Sequence, residues 1–220
     1  MARNLTDAVL VVGLGRFGGA VAQALDHLGH EVLAVDTDSA LVQEWSGVLT
    51  HVVQADATHE AAMRQIGAAD VDRAVVGIGS AIEASVLTTT VLKDIGIREV
   101  WAKADSAPHG KILTRIGANH VIYPEQVMGE RVAHLLTGKL IDFIEFDDGY
   151  AIGKTRAPRE AFDKTLADAT LHSRYGVTVV GVKRPGTDFA NARPETEVHQ
   201  GDLLIVSGRT EAVERFAAVV

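Results

Sequence analysis

The fold is decided by Gly13-Leu14-Gly15-Arg16-Phe17-Gly18, a GxGxxG motif between the apolar run Ala8–Val12 and a helical pattern. In such a loop Gly13 permits the tight turn, Gly15 lets the backbone approach a phosphate, and Gly18 lets the helix pack closely. Backbone N–H groups and the helix dipole then face an anion. The motif therefore predicts a phosphate-binding turn after the first strand of a dinucleotide-binding fold.

An acidic residue, Asp36, closes the second apolar run, Glu31–Asp36. In this fold an acid at that place accepts hydrogen bonds from the ribose hydroxyls, and its charge disfavours the 2′-phosphate of NADP. The motif and the acid together predict that an adenine nucleotide binds here. The alternative, that the glycines serve only packing, is less favoured because strand, motif, helix and acid occur in the expected order.

Arg16 stands inside the phosphate loop, where a dehydrogenase usually has a small or apolar residue. One guanidinium group can clamp a terminal phosphate with two hydrogen bonds, which makes ATP or ADP at least as plausible as NAD. The alternative is a solvated arginine on the first helical turn. A cation at a helix N-terminus is unfavourable unless an anion compensates it, so we favour the phosphate contact.

One unit, an apolar run followed by a turn and a helical pattern, recurs from Ala8 to about Tyr123 and predicts successive βαβ units. Glycines close several of the predicted helices. We expect six parallel strands with helices on both faces: a doubly wound α/β fold of the Rossmann type. The predicted strands are Ala8–Val12, Glu31–Asp36, His51–Ala55, Arg73–Ile78, Val100–Ala104 and His120–Tyr123, and the predicted helices are Phe17–Leu28, Ser39–Trp45, Glu60–Ile66, Ile82–Ile95 and Pro108–Ile116.

A different pattern follows, in which Pro124 opens a helix through about Leu136. We expect a nucleotide-binding domain over residues 1–124, a linking crossover helix over 125–140, and a small α+β domain over 141–220. That last domain should contain the strands Phe143–Phe146, Val177–Val182 and Leu203–Ser207, helices near Leu166–Arg174 and Thr210–Val219, and an exposed loop, Arg184–Pro194.

Two further strand ends carry candidate ligand-binding residues. Asp56, Ala57 and Thr58 follow the third strand, where they could contact the adenine edge or cap the next helix. The turn Gly77–Ser80, which includes Ile78 and Gly79, ends the fourth strand at the crevice where ligands of such sheets bind. Its glycines could equally serve only the turn.

Composition and missing motifs exclude several functions. A net charge of −8, from 21 basic and 29 acidic residues, argues against binding to nucleic acid or anionic lipid. The lack of cysteine excludes disulfides and fits a cytoplasmic protein, and no uncharged apolar run approaches the roughly 18 residues that span a bilayer. The stretch Gly149–Thr155 is one residue too short for a phosphate loop. We find no acid–base pair, nucleophile motif or metal-ligating histidine spacing, so we predict no catalytic residues and no enzyme.

The motif and Asp36, read with Trp101-Ala102-Lys103-Ala104 and with the stretch from Ile116 to Glu125, closely resemble the RCK (KTN) family. These are the nucleotide-binding peripheral subunits of bacterial Ktr and Trk potassium transporters, and the Ktr type is the more similar. The C-terminal segments Tyr175–Val177 and Gly201–Gly208 resemble the RCK C-terminal (TrkA-C) domain, so that the resemblance covers essentially the whole chain.

This resemblance implies a homodimer that exchanges the crossover helix, with four dimers in an octameric ring beneath a membrane potassium-translocating subunit. ATP or ADP binding would change the shape of the ring. Arg16 would reach the terminal phosphate of ATP, and Asp36 would hold the ribose. Other positions that would line the cleft or its dimer face are Phe17, Asp38, Ile78, Gly79, Lys103 and Glu125.

Glu125 is a candidate metal ligand, because a carboxylate beside a triphosphate needs a divalent cation such as Mg²⁺ or Ca²⁺ between them. The resemblance places that cation at the dimer interface. The alternative is ordinary first-turn placement after Pro124. The resemblance also permits cyclic di-AMP at the C-terminal domain, with Arg174 as a candidate contact. Two other functions stay open: an NAD(H)-binding Trk-type regulator of potassium uptake or efflux, and an NAD-dependent dehydrogenase.

Overall fold

The computed structural model describes residues 8–137 and 139–220, and these form two compact units. The first unit ends at Pro124 and the second begins at Glu125. None of the described helices is both long and apolar enough to cross a bilayer.

The first unit contains a parallel sheet of six strands in the order β3-β2-β1-β4-β5-β6. This topology confirms the doubly wound α/β fold. The elements are β1 (Val9–Val12), α1 (Arg16–His27), β2 (Val32–Asp36), α2 (Ser39–Trp45), β3 (His51–Gln54), α3 (Glu60–Gln65), a 3-10 turn (Ala68–Asp70), β4 (Arg73–Val76), α4 (Ile82–Asp94), β5 (Glu99–Lys103), α5 (Ala107–Arg115) and β6 (His120–Ile122).

The two faces of this sheet are covered differently. One face packs against Met63 of α3, Leu92 of α4 and Leu113 of α5, all fully buried. On the other face, Ala22 of α1 and Trp45 of α2 pack around β1 and β2. This second face therefore has its helical cover over β1, β2 and β3, and an apolar groove of about 370 Å³ lies over β4, β5 and β6.

The strand order reverses beside β1, which pairs with β2 on one side and with β4 on the other. The loops after β1 and β4 then lead to opposite faces and leave a crevice between them. Two hydrogen bonds hold these loops at the sheet edge, from Gly13 N–H to the Val35 carbonyl at 2.8 Å and from Gly77 N–H to the Val12 carbonyl at 2.7 Å. The crevice is the place where such folds bind ligands.

The second unit is an α+β domain, as predicted, with a five-stranded antiparallel sheet in the order β11-β10-β13-β8-β7. A two-stranded sheet, β12-β9, accompanies it. The elements are α6 (Pro124–Thr137), β7 (Asp142–Phe146), β8 (Tyr150–Arg156), β9 (Lys164–Thr165), α7 (Leu166–Ala169), α8 (Leu171–Tyr175), β10 (Val177–Lys183), β11 (Ala190–Asn191), β12 (Glu197–Val198), β13 (Leu203–Arg209) and α9 (Thr210–Ala218), with 3-10 turns at Asp147–Gly149 and Arg159–Ala161.

Three details of this unit differ from the sequence-based expectation. The strand β8 was not predicted, although it covers most of the stretch compared with a phosphate loop. The single helix expected near Leu166–Arg174 is two helices, because Thr170 between them adopts a left-handed backbone conformation with φ of 50°. The loop Arg184–Pro194 contains the short strand β11, which pairs with β10.

Candidate functional site: the crevice at the glycine loop

The glycine loop has the geometry that its motif predicts. Gly13 has a φ of +90°, which side chains rarely allow, and so makes the tight turn. A Cβ atom on Gly18 would lie 1.8 Å from the Gly13 carbonyl oxygen, which confirms close packing of α1. A Cβ atom on Gly15 would meet nothing within 4 Å, so Gly15 faces open space.

The N-terminus of α1 is suited to an anion. The helix begins at Arg16 after the N-cap residue Gly15, which supplies no side-chain hydrogen bond, and the first turn contains no acidic residue. The first N–H groups of a helix have no partner within the helix and carry partial positive charge. Arg16 is exposed and adds a full positive charge at the same end.

Asp36 fastens the glycine loop to the end of β2. Its Oδ2 accepts a hydrogen bond from the Leu14 N–H at 2.6 Å, and its Oδ1 accepts one from the Asp38 N–H at 2.9 Å. The sequence predicted a ribose contact for Asp36, but it did not predict that Asp36 also fastens the glycine loop. Each carboxylate oxygen can accept more than one hydrogen bond, so the two roles are compatible.

A cavity of about 300 Å³ opens at this edge of the sheet, which is within the range of small-molecule sites. It brings together predicted residues from four strand ends, namely Gly13, Gly15, Asp36, Asp56, Ala57, Thr58, Ile78 and Gly79. The other lining residues, which were not among the predicted site residues, are Val12, Thr37, Leu41, Ala55, Gly77, Ser80, Ala81, Ala84 and Thr88. Two of these, Gly77 and Ser80, belong to the turn that the sequence had already indicated.

Asp56 and Thr58 are engaged with each other. The Asp56 Oδ1 accepts hydrogen bonds from the Thr58 hydroxyl at 2.7 Å and from the Thr58 N–H at 2.9 Å. Chiefly the hydroxyl bond lowers the pKa of Asp56, so the carboxyl is held as an anion. The capping alternative is wrong, because α3 begins at Glu60 with His59 as its N-cap residue. The adenine contact stays a prediction.

Six predicted residues lie outside the cavity lining, namely Arg16, Phe17, Gly18, Asp38, Lys103 and Glu125. Phe17 and Lys103 lie together beside the cavity, because the Lys103 Nζ is 6.0 Å from the Phe17 ring centroid and 2.9 Å from the Cβ position of Gly79. Asp38 is the N-cap residue of α2, and its Oδ1 accepts a hydrogen bond from the Ala40 N–H at 2.8 Å. Asp38 thus caps α2, and nucleotide contacts by Phe17, Asp38 and Lys103 stay predictions.

Glu125 is an exposed residue in the first turn of α6 and belongs to the second unit. Over residues 8–137 and 139–220 no group of three or more histidine or acidic side chains is arranged to hold a metal ion. A hard cation takes six or more oxygen ligands, so a single Glu125 carboxylate fits a cation only together with phosphate oxygens or a second copy of the chain.

A second cavity, of about 310 Å³, lies in the C-terminal unit. Its lining residues are Leu166, Ala167, Leu171, His172, Val177, Thr178, Val179, Ala192, Arg193 and Pro194. Arg174 is not among them. It pairs with Glu160 at 2.7 Å, lies over the Tyr175 ring and lines a different cavity of this unit, of about 570 Å³.

Comparison with known proteins agrees with this geometry. The TrkA-N domain family matches residues 9–124, and the TrkA-C domain family matches residues 157–220. The chain is 35% identical to Ktr system potassium uptake protein A of Bacillus subtilis over 217 residues, 98% of both chains. It is 35% identical to protein C of the same organism over 207 residues, 94% of both chains. For protein A of Vibrio alginolyticus the identity is 36% over 199 residues, 90% of both chains.

Solved structures show the same fold at low sequence identity. The crystal structure of the GsuK RCK domain superimposes with a TM-score of 0.68 at 15% identity, covering all of this chain and 49% of that one. The NAD-bound GsuK channel gives a TM-score of 0.66 at 15% identity, covering 96% of this chain and 39% of that one. The chain thus spans half or less of these solved chains. With both domain families matched in order and full-length relatives at 35% identity, the chain belongs to the RCK family of TrkA-N and TrkA-C domain proteins, alongside the Ktr system potassium uptake proteins.

Proposed function

We propose that this chain is a cytoplasmic regulatory subunit of a potassium transport system, which binds ATP or ADP in the crevice at the glycine loop without turning it over. The observation that supports this proposal is the geometry of the crevice. Gly15 faces open space at a helix N-terminus without a side-chain cap, and Asp36, the proposed ribose contact, is bonded to the same loop. The assignment to a potassium transport system is supported by the relatives that are named potassium uptake proteins. A membrane potassium-translocating subunit is the proposed partner.

The choice of ATP or ADP over NAD rests on Arg16. Its guanidinium group stands exposed at the N-terminus of α1, where it can form two charge-assisted hydrogen bonds to a terminal phosphate. NAD(H) is the second candidate, as in a Trk-type regulator, because a fold neighbour is the GsuK channel bound to NAD. The dehydrogenase alternative would be supported by a substrate-dependent change in the absorbance of the nicotinamide.

The substitution Arg16→Ala tests the terminal-phosphate contact. We expect ATP affinity to fall by at least about tenfold, because each lost charge-assisted hydrogen bond is worth about 1.5–3 kcal/mol, while ADP affinity changes less. The matched control is Arg64→Ala, since Arg64 is also exposed but pairs with Glu60 on α3. Equal losses for ATP and ADP in calorimetric titration would reject the role of Arg16.

We propose that two copies exchange their α6 helices. The groove over β4, β5 and β6 has a half-exposed Trp101 among its lining residues, and α6 exposes Val127, Met128, Val132 and Leu136. Exposed apolar surfaces of this kind mark interaction sites, so the groove of one copy is a suitable place for α6 of the other. Four such dimers would form the octameric ring. Val132→Asp should lower the mass measured by light scattering, whereas Leu28→Asp, a control at the exposed leucine that caps the C-terminus of α1, should not.

We propose that Mg²⁺ or Ca²⁺ joins Glu125 to the phosphates of ATP at the dimer interface. The phosphate oxygens would complete a ligand set that one exposed carboxylate cannot supply. Glu125→Gln should then abolish the effect of the cation on ATP affinity. Glu130→Gln on the same helix is the control, because the Glu130 side chain accepts a hydrogen bond from Gln126.

We propose that the two nucleotides favour different shapes of the ring. A preference of roughly 1–3 kcal/mol per site for one shape is enough to shift a gate when several sites act together, and hydrolysis is not required. A second effector such as cyclic di-AMP is proposed to bind the C-terminal unit at Arg174. The cavity there has a volume of about 570 Å³ and is lined by Arg174, Tyr175, Gly176, Arg215, Ala218 and Val219.

A further inference from the structure

Three consecutive threonines of α4 differ in their hydrogen bonds. The hydroxyl of Thr89 donates to the Ser85 carbonyl at 2.8 Å, and that of Thr90 donates to the Val86 carbonyl at 3.0 Å. Such bonds to the carbonyl four residues earlier are usual for threonine inside a helix. The hydroxyl of Thr88 is fully buried and has no hydrogen-bond partner among the described residues. Thr88 therefore carries a buried polar group that residues 8–137 and 139–220 leave without a hydrogen bond.

Thr88 lines the crevice cavity together with Ala81 and Ala84. These three positions are spaced three and four residues apart, so they lie on one face of α4. The methyl side chains of Ala81 and Ala84 are small, which lets the cavity extend along the helix as far as Thr88. The hydroxyl of Ser85 is also buried and has no partner in the described part of the chain, but Ser85 is not part of the cavity lining.

The position of Thr88 in the cavity indicates which part of a nucleotide it would meet. In the proposed binding mode the phosphates lie at Gly15, at the N-terminus of α1, and the ribose lies at Asp36, at the end of β2. The remaining lining is largely small and apolar, which suits the faces of a flat base, and it includes Leu41, Ala55, Ala57, Ile78 and Ala84. The edge of a base carries nitrogen donors and acceptors that need polar partners when they are buried.

We propose that the Thr88 hydroxyl forms a hydrogen bond with the edge of the adenine base. This inference rests on the proposed function, since it requires that the crevice binds an adenine nucleotide. Such a bond would satisfy the buried hydroxyl on binding and would contribute equally to the affinity for ATP, ADP and AMP. Thr88 is then a determinant of base recognition, separate from the phosphate contact of Arg16.

Calorimetric titration of three variants of the full chain tests this proposal. Thr88→Val keeps the shape of the side chain but removes the hydroxyl, and should weaken ATP, ADP, AMP and 2′-deoxy-ATP alike by about 5- to 20-fold. Thr88→Ser keeps the hydroxyl and should stay within about twofold of the wild type. The matched control Thr90→Val removes a hydroxyl of the same helix that lies outside the cavity lining, and should not change affinity.

Three results would overturn the proposal: an unchanged affinity of Thr88→Val, a loss confined to ATP, or a loss that disappears with 2′-deoxy-ATP and so indicates a ribose contact. A lower melting temperature of nucleotide-free Thr88→Val would also overturn it, because it would show that the hydroxyl has a partner within the protein. Wild-type protein that binds none of these nucleotides would instead reject the proposed function.

Discussion

Gly15 is the residue of the glycine loop at which a substitution should affect ligand binding with the least effect on the stability of the fold. Its Cβ position has no neighbour within 4 Å, and its backbone, with φ of −62° and ψ of −172°, lies in a region that other residues adopt. Gly15→Ala should therefore fold normally. It should nevertheless place a methyl group at the point where the backbone would approach a phosphate.

The expected magnitudes follow from this geometry. Replacing glycine by alanine at a compatible position stabilises a protein by about 0.4–1 kcal/mol, and alanine is a poorer N-cap residue by a similar amount, so the free energy of unfolding should stay within about 0.5 kcal/mol. One lost hydrogen bond to a charged phosphate is worth about 1.5–3 kcal/mol. ATP and ADP affinity should then fall by roughly 10- to 150-fold.

The assay combines urea denaturation of the nucleotide-free protein with calorimetric titration of ATP and ADP. Gly47→Ala is the matched control, because the Cβ position of Gly47 also has no neighbour within 4 Å and Gly47 lies outside the cavity lining. Wild-type affinity in Gly15→Ala would refute the assignment of this loop as the phosphate site. A large loss of stability in Gly15→Ala would refute the claim that Gly15 faces open space.

Three further predictions concern stability. Gly18→Ala should destabilise the free protein by about 1–3 kcal/mol in urea denaturation, because its Cβ would lie 1.8 Å from a loop carbonyl oxygen; unchanged stability would contradict the packing of α1. Asp36→Asn should cost about 1–3 kcal/mol in the same assay, since an amide nitrogen cannot accept one of the two N–H bonds, including that from Leu14 at 2.6 Å; a neutral effect would show that the carboxylate does not fasten the loop. The hydrogen bond from the Tyr175 hydroxyl is the largest cause of the lowered pKa of Glu160. This contact stabilises the fold at pH values above the pKa that the Glu160 carboxyl has in the unfolded chain. The stabilisation is lost as the pH falls through the lower pKa of Glu160 in the folded protein. Tyr175→Phe should raise the pKa of Glu160 in an NMR titration, and an unmoved pKa would contradict the contact.

The sequence predicted that residues at four strand ends meet at one crevice, and they do line one cavity, because their placement follows from local chain geometry. The turn at Gly13 and the tight packing at Gly18 are properties of a few adjacent residues. The contribution of Ala84 and Thr88 was missed. Their place in the cavity depends on how α4 packs against the sheet, and a short motif does not encode that packing.

The strand β8 was missed for a different physical reason. Its buried residues are Ala151, Gly153 and Thr155, which lack the large apolar side chains that reveal an alternating strand. A Cβ atom on Gly153 would lie 2.7 Å from a Val213 side-chain atom. Small residues are required here because α9 packs closely over the strand, and that requirement is visible only in the folded domain.

The most direct test of the account is calorimetric titration of the purified chain with ATP, ADP and NADH, each with and without Mg²⁺ or Ca²⁺. We expect tight binding of ATP and ADP, with an effect of the divalent cation mainly on ATP. Preferential binding of NADH would contradict it and would favour the Trk-type reading of the same crevice.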